Sequence, residues 1–558
     1  MPSELDRKYD AVLAHVTGPE GRIQIGRDGE GRAIVTNLPP TLPGLFDAFA
    51  MLHGATEAVI AGDERLAFAA LNAEATKLAG CLASGWGIAK GDRVAIAMRN
   101  CPAWIVTYMA VLKAGAIATL VNGWWQGDEM RHALDLAEPA LVLCDGPRGE
   151  RIAAACEAVT VATLPIEKPI GQALAPLYAR GGGDETPLPD IAPEDDATIL
   201  FTSGSTGLSK GAVSTHRAVT TGVYAYAIGL LTMLGILESE GRPPANPPKT
   251  LVNVPLFHVT GEVPVLLNSF VIGRTMVLMP KWDAGEALRL IERERITYFV
   301  GVPTMSLELM QHPDKDKYDL SSLTDIAAGG AARPVSHVKR LQQSFRGAQP
   351  ALGYGLTETN AVGCGNFWQN YADKPASTGR PHRPLAEIAI LGEGDRHLGP
   401  CERGEIGIRS AANIRGYWRD PAATAVAFTA DGFLKTGDVG YLDEDSYLFI
   451  VDRKKDIIIR GGENIASQEV EAALYADKRI SEASVFGIAD ERLGEVPAAV
   501  VYSEDVPDLS ADEVRAAVAE RIAAFKVPAH IWVEKAPLPK LGTGKIDKVA
   551  LRQKYRPA

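Results

Sequence analysis

Aromatic residues make up only 7% of the 558-residue chain, and its six cysteines (Cys81, Cys101, Cys144, Cys156, Cys364 and Cys401) include no C-x-x-C pair. That scatter excludes a zinc knuckle or a disulfide framework and fits a reducing compartment, the cytoplasm. The first residues, MPSELDRKYDAVLAHV, alternate charges where a secretory leader needs an apolar run, so export is not expected. The most apolar stretch, Gly222 to Leu237, falls short of the ~20 residues of a membrane span. It runs straight into Glu238, Glu240 and Arg242, so it predicts a buried helix. Excess positive charge is missing as well: the net charge is -12, which argues against broad nucleic-acid binding. Only the end is basic, with nine Lys or Arg from Arg521 onward against Glu534 and Asp547. Such a run is ordinarily a solvated surface, although a basic tail on an acidic protein also suits a polyphosphate.

What is present is globular: 46% apolar and 23% charged residues. The length exceeds the ~250 to 300 residues that one hydrophobic core supports, so at least two domains are expected. From residue 60 to 145, helical spacing (LAFAALNAEATKLAGCLA) alternates with short β-like runs (RVAIAM). The same beat continues through TMVLMP, a helix from Ala284 to Glu294, ITYFVGVP and DIAAGG. This pattern predicts an α/β domain with mostly parallel sheets. Between about 380 and 451 the texture turns to short strands broken by Gly and Asp, a small β-subdomain. The charged cluster Asp452-Arg-Lys-Lys-Asp456 marks a boundary, and a compact α+β pattern follows it.

Phe201-Thr-Ser-Gly-Ser-Thr-Gly-Leu-Ser-Lys-Gly211 follows an apolar run and reads as a strand-to-helix loop filled with hydroxyls, glycines and a lysine. Thr202, Ser203, Gly204, Ser205, Thr206, Gly207 and Lys210 thus offer backbone N–H groups, hydroxyls and a cation to a phosphate. It is not a Walker A loop, because Ser209-Lys210-Gly211 replaces the required Gly-Lys-Ser/Thr ending. A motor or kinase of that type is therefore not expected. The loop resembles that of the adenylate-forming superfamily, which includes acyl-CoA synthetases, aryl-CoA ligases, peptide-synthetase adenylation domains and luciferases. That family usually has Pro where Ser209 stands, so loop stiffness differs while no donor is lost.

Six further segments match the same family in order over residues ~50 to 550. Tyr354-Gly-Leu-Thr-Glu358 resembles the motif in which the tyrosine packs on adenine beside Gly355, Thr357 bonds the α-phosphate and Glu358 holds Mg2+. A hard cation wants carboxylate and phosphate oxygens, and a purine wants an aromatic face. Gly329-Gly330-Ala331-Ala332 resembles the segment that lines the adenine and acyl pockets. Thr436-Gly-Asp438 implies a carboxylate on the ribose, with Arg453 as its partner. Pro255-Leu-Phe-His258 resembles a gate segment whose histidine faces the substrate carboxylate or closes the tunnel. The segment from Asp452 to Ile465 resembles the hinge and its following loop, with Lys455 as pivot and Gly461 and Gly462 beside the pantetheine path. Ser467, where the family usually has Pro, is expected to cap the next helix. Pro539 to Lys548 resembles the motif whose lysine, here Lys545, reaches the α-phosphate.

The resemblance implies an N-terminal AMP-binding domain over residues 1–451, a hinge at 452–456 and a small mobile α+β lid domain at 457–558. It implies ATP, Mg2+ and coenzyme A as partners of a carboxylic acid, and a homodimer is unsurprising for the family. Transfer to a separate carrier protein is the nearest rival. No carrier domain is expected, since the last motif ends about ten residues before Ala558. A luciferase-like oxygenase is a rarer use of the same scaffold. A non-catalytic scaffold is expected to have lost Lys545, Glu358 or Asp438, and all three are present. Ala327, Ala328, Gly329, Gly363 and Gly365 are small and favour a roomy tunnel for a medium or long fatty acid, with aryl or polycyclic acids second.

Overall fold

The computed structural model describes residues 2–156, 159–183, 186–202, 209–330, 333–345, 347–460, 463–541 and 544–555. The chain opens with helix α1 (Glu4–Thr17), whose Ser3 cap accepts from the Asp6 N–H while the Asp6 carboxylate accepts in return. The first large sheet has seven strands, and its centre is parallel: Arg93–Ala97 lies between Ile117–Leu120 and Leu141–Asp145. The helix Pro102–Lys113 connects two of these strands and is buried at every position. Its sequence, apolar all round, allows no solvent face. Trp104 and Tyr108 stack within it at 5.2 Å.

Helix α2 (His216–Ser239) is capped by Thr215, whose hydroxyl accepts from the Ala218 N–H. It is longer than the apolar run Gly222 to Leu237 foretold, because capping and packing recruit polar residues at both ends. By length and composition alone it could cross a membrane, yet 67% of its most apolar window is buried inside the fold.

The second large sheet has nine strands. Its core contains β1 (Tyr298–Gly301), β2 (Asp325–Ala328) and β3 (Gln349–Gly355), all parallel, with Val300 beside Ala327 and Ala327 beside Ala351. Short parallel strands rich in Val, Ile and Ala are what a sheet covered on both faces requires. A four-stranded antiparallel sheet follows, ending in β4 (Leu434–Leu442) and β5 (Leu448–Arg453). The chain after it builds a separate five-stranded sheet with α3 (Ser467–Tyr475) packed on it. That unit has its own core, including Ile458, Val470, Leu474, Val485, Val501 and Val518.

Candidate active site

Strands Asp196–Phe201 and Gly211–Thr215 pair antiparallel, and the Thr202 N–H donates to the Lys210 carbonyl at 2.9 Å. The hydroxyl-rich segment therefore joins the two arms of a hairpin, not a strand to a helix as its sequence suggested. The run GAVST is short and β-branched enough to form a strand before α2 begins. Ser203, Gly204, Ser205, Thr206 and Gly207 lie outside the described residues, as do Ala331, Ala332, Gly461 and Gly462. Lys210 Nζ sits 4.9 Å from the centre of the Tyr417 ring, and the Tyr417 hydroxyl donates to Glu358 Oε1 at 3.0 Å.

Glu358 is held by a tight reversal after β3. A Cβ on Gly355 would lie 2.2 Å from the Ala361 carbonyl oxygen, so only glycine lets the chain double back there. Asn360 takes a left-handed conformation (φ 48°), and its amide donates to Ser214 Oγ at 2.9 Å and the Ala412 carbonyl at 2.7 Å. Burial raises the Glu358 carboxyl above its usual range.

The register of β4 with β5 sets Asp438 opposite Arg453. Their side chains meet at 3.1 Å, and the Tyr354 hydroxyl donates to the other Asp438 oxygen at 2.7 Å. Burial raises the Asp438 carboxyl while Arg453 pulls the other way. The buried aspartate and the phenol thus fix each other, leaving the Tyr354 ring in a set position.

Lys545 arrives from the small domain on a hairpin closed by bonds from the Leu541 N–H to the Lys545 carbonyl (2.7 Å) and from the Asp547 N–H to the Pro539 carbonyl (2.8 Å). Its side chain lies against Gly330, where a Cβ would meet Lys545 Cε at 3.1 Å. Burial, reinforced by Arg453 and opposed by Asp438, brings the ammonium down to about 8. Burial and then Lys545 push His258 down to about 3. His258 is therefore neutral, and its Nδ1 accepts from the Thr260 N–H at 3.3 Å, which leaves Nε2 as a donor.

Thr202, Lys210, His258, Gly330, Tyr354, Gly355, Thr357, Glu358, Asp438, Arg453 and Lys545 line one cavity of about 1990 Å³. Lys455 does not line it and is exposed. Gly363 and Gly365 do not line it either: a Cβ on them would strike the Tyr354 carbonyl at 2.4 Å and the Phe367 ring at 2.5 Å. Gly363 is small because the neighbouring strand's backbone approaches closely and Gly365 because the Phe367 ring fills its place, not to widen a tunnel. Ala327, Ala328 and Gly329 do face the cavity. Tyr417 had no pattern to announce it, since it lies 59 residues from Glu358 in the chain.

The charged cluster is gripped from both sides. Asp452 accepts from the Ser467 N–H and, at 3.1 Å, from its hydroxyl, and Asp456 pairs with Arg552 at 2.9 Å. Between them, Arg453 pairs with Asp438, and Lys454 bonds the Gly437 carbonyl at 2.8 Å and Glu405 at 3.1 Å. Ser467 is thus the first residue of α3 and not its cap, which is Ala466.

A family model described as AMP-binding enzyme matches residues 46–418, and one described as AMP-binding enzyme C-terminal domain matches 469–545. The chain belongs to the AMP-binding enzyme family. It is an AMP-forming acid–thiol ligase of the acyl-CoA synthetase type, working with ATP, Mg2+ and coenzyme A. It is 34% identical to a long-chain-fatty-acid–CoA ligase of Bacillus subtilis, over 87% of this chain and 89% of that protein. A Rhodococcus jostii ligase for 3-[(3aS,4S,7aS)-7a-methyl-1,5-dioxo-octahydro-1H-inden-4-yl]propanoyl-CoA is 32% identical, over 94% and 100% of the two chains. The crystal structure of ATP-bound MatB from Rhodopseudomonas palustris superposes with a TM-score of 0.80 at 26% identity, covering 92% of this chain and 99% of that one.

Proposed function

We propose that this ligase activates a medium- or long-chain fatty acid, with residues 1–451 as its AMP-binding domain, 452–456 as its hinge and 457–558 as its lid. The observation that carries the chemistry is that Lys545 enters from the lid side into the cavity that Glu358, Asp438 and Arg453 line from the other.

In the first half-reaction a substrate carboxylate oxygen attacks the α-phosphorus of ATP, the bond to the β-phosphate breaks, and pyrophosphate leaves. The carboxylate is already a nucleophile, so alignment and charge stabilisation carry the rate. Tyr354 faces the adenine, while Asp438 and Arg453 take the ribose. Thr357, Lys545 and the Ser203–Gly207 loop with Lys210 hold the phosphates, and neutral His258 offers Nε2–H to the acid. Among the described residues no group of three His, Cys, Asp or Glu is assembled. Glu358 is the carboxylate that would hold an Mg2+ ion, which would supply positive charge beside the phosphates. In the second half-reaction the lid turns, Gly461 and Gly462 border the pantetheine path, the thiol gives up its proton and its sulfur bonds the acyl carbon, and the bond from that carbon to the phosphate oxygen breaks as AMP departs. The reducing cytoplasm is the proposed compartment, and a homodimer the proposed assembly.

For the acid, the support is a stretch of cavity wall along α2 formed by Leu230, Met233, Leu234 and Leu237. A polycyclic acid is the second reading, favoured by the Rhodococcus relative and the cavity volume. Pyrophosphate release from a panel of saturated, aryl and polycyclic acids, with and without coenzyme A, decides between them. A tenfold or greater preference for saturated acids of eight or more carbons is expected, and an equal or better rate with the polycyclic acid would overturn the first choice.

The depressed Lys545 pKa gives a pH signature. The cation is present below about pH 8 and lost above it. The kcat/KM for ATP, which reports the free enzyme, is expected to fall toward tenfold per unit above that pH. In Lys545→Arg this alkaline limb should vanish; a wild-type profile flat to pH 9.5 would contradict the assignment.

A further inference from the structure

The acyl part of the cavity runs between α2 and one face of the second sheet. Tyr226 lies beside the turn that carries Gly355: its hydroxyl donates to the Ala361 carbonyl at 2.7 Å and lies 3.8 Å from where a Cβ on Gly353 would be. Below it, Gly353, Ala351 and Gln349 of β3, with Val300 and Tyr298 of β1, form the floor. Leu352 of β3 and Ala327 and Ala328 of β2 line the cavity as well. From Tyr226 to the far end of α2, at a rise of ~1.5 Å per residue, the wall extends about 20 Å.

At that far end the cavity meets α1, which contributes Glu4, Leu5 and Lys8 to its wall. Lys8 Nζ bridges Glu4 and Glu240 at 2.9 Å each, joining α1 to the end of α2. The helix is firmly seated. Asp6 Oδ1 accepts from Arg380 at 3.1 Å and from the Tyr447 hydroxyl at 2.9 Å, and Asp10 pairs with Arg380 at 2.9 Å and Arg383 at 3.0 Å. All of α1 precedes residues 46–418, the part that the family model matches.

We infer that α1 is the end-stop of the acyl site, with Leu5 and the Lys8–Glu240 ion pair setting the longest acid accepted. This rests on the fatty-acid reading above. A saturated chain with carbon–carbon bonds near 1.5 Å advances ~1.25 Å per carbon, so about 20 Å holds about sixteen carbons. Each methylene that finds apolar wall adds about fourfold in affinity, and that gain stops where the terminal methyl meets the charged pair.

The experiment measures pyrophosphate release with saturated acids of even length from C8 to C20, in the wild type and in Leu5→Trp, Leu5→Ala and Lys8→Ala. Wild-type kcat/KM is expected to climb with length and then break near C16. Leu5→Trp should move the break at least two carbons shorter, and the two trimming variants at least two carbons longer, through KM and not kcat. A merely structural role for α1 would scale all lengths alike. An unshifted break in Leu5→Ala and Lys8→Ala, whatever Leu5→Trp does, overturns the inference alone. Failure of the wild type to use any saturated acid, while it activates another carboxylate, overturns the fatty-acid reading and the end-stop with it.

Discussion

Replacing Lys545 by alanine is expected to slow ATP–pyrophosphate exchange about 10²- to 10³-fold, the usual loss when one preorganised donor to developing charge is removed. Thioester formation from a preformed acyl-adenylate should stay within a few-fold of wild type. The reason is geometric: the ammonium is buried against Gly330 and near Asp438, and it arrives there only because the small domain presents its hairpin to the cavity. Folding should survive, since backbone bonds between Leu541 and Lys545 and between Pro539 and Asp547 close that hairpin without the side chain. Stopped assays of the two half-reactions check the point. Equal loss in both would mean that Lys545 holds the fold or the acyl group, not the phosphate.

Glu358→Gln is expected to lower kcat about 10²-fold at limiting Mg2+, with partial recovery as the ion concentration rises. The change keeps the shape of the side chain and an oxygen for the Tyr417 hydroxyl, so only the charge is lost. Because burial already disfavours the ionised form, thermal stability should hold or rise slightly. Initial rates against Mg2+ concentration and a melting curve give both readings. A variant as active as wild type at low Mg2+ would remove Glu358 from the metal's surroundings.

The alternation of helical and β-like runs was enough to foresee the parallel-rich sheets, and the helix Ala284–Glu294 stands where its apolar spacing placed it. Its Asp283 cap and strong amphipathic pattern are local, and local signals survive in sequence. The site was legible to the extent that its motifs are short and contiguous. What could not be read were contacts made across the chain. The Ser203–Gly207 segment looked like a helix entry because glycine and hydroxyl content do not tell a hairpin from a strand-to-helix turn. Ser467 had cap chemistry but spends it on Asp452, a partner fifteen residues earlier. Gly363 and Gly365 advertised empty space, whereas a neighbouring strand's backbone and the Phe367 ring already occupy it. Tyr417 joined the site through a partner far away in sequence, and α1 joined the cavity from the opposite end of the fold.

The short charged segment from Asp452 to Asp456 has divided loyalties: its outer aspartates belong to the small domain and its inner Arg453 and Lys454 to the large one. Such a segment is tied at once to both sides of the proposed hinge, and the ties differ in kind: Asp452 and Asp456 reach forward to Ser467 and Arg552, Arg453 and Lys454 back to Asp438 and Glu405. The Arg453–Asp438 pair is also half of the proposed ribose clamp, so the segment that joins the two domains carries a piece of the proposed nucleotide site.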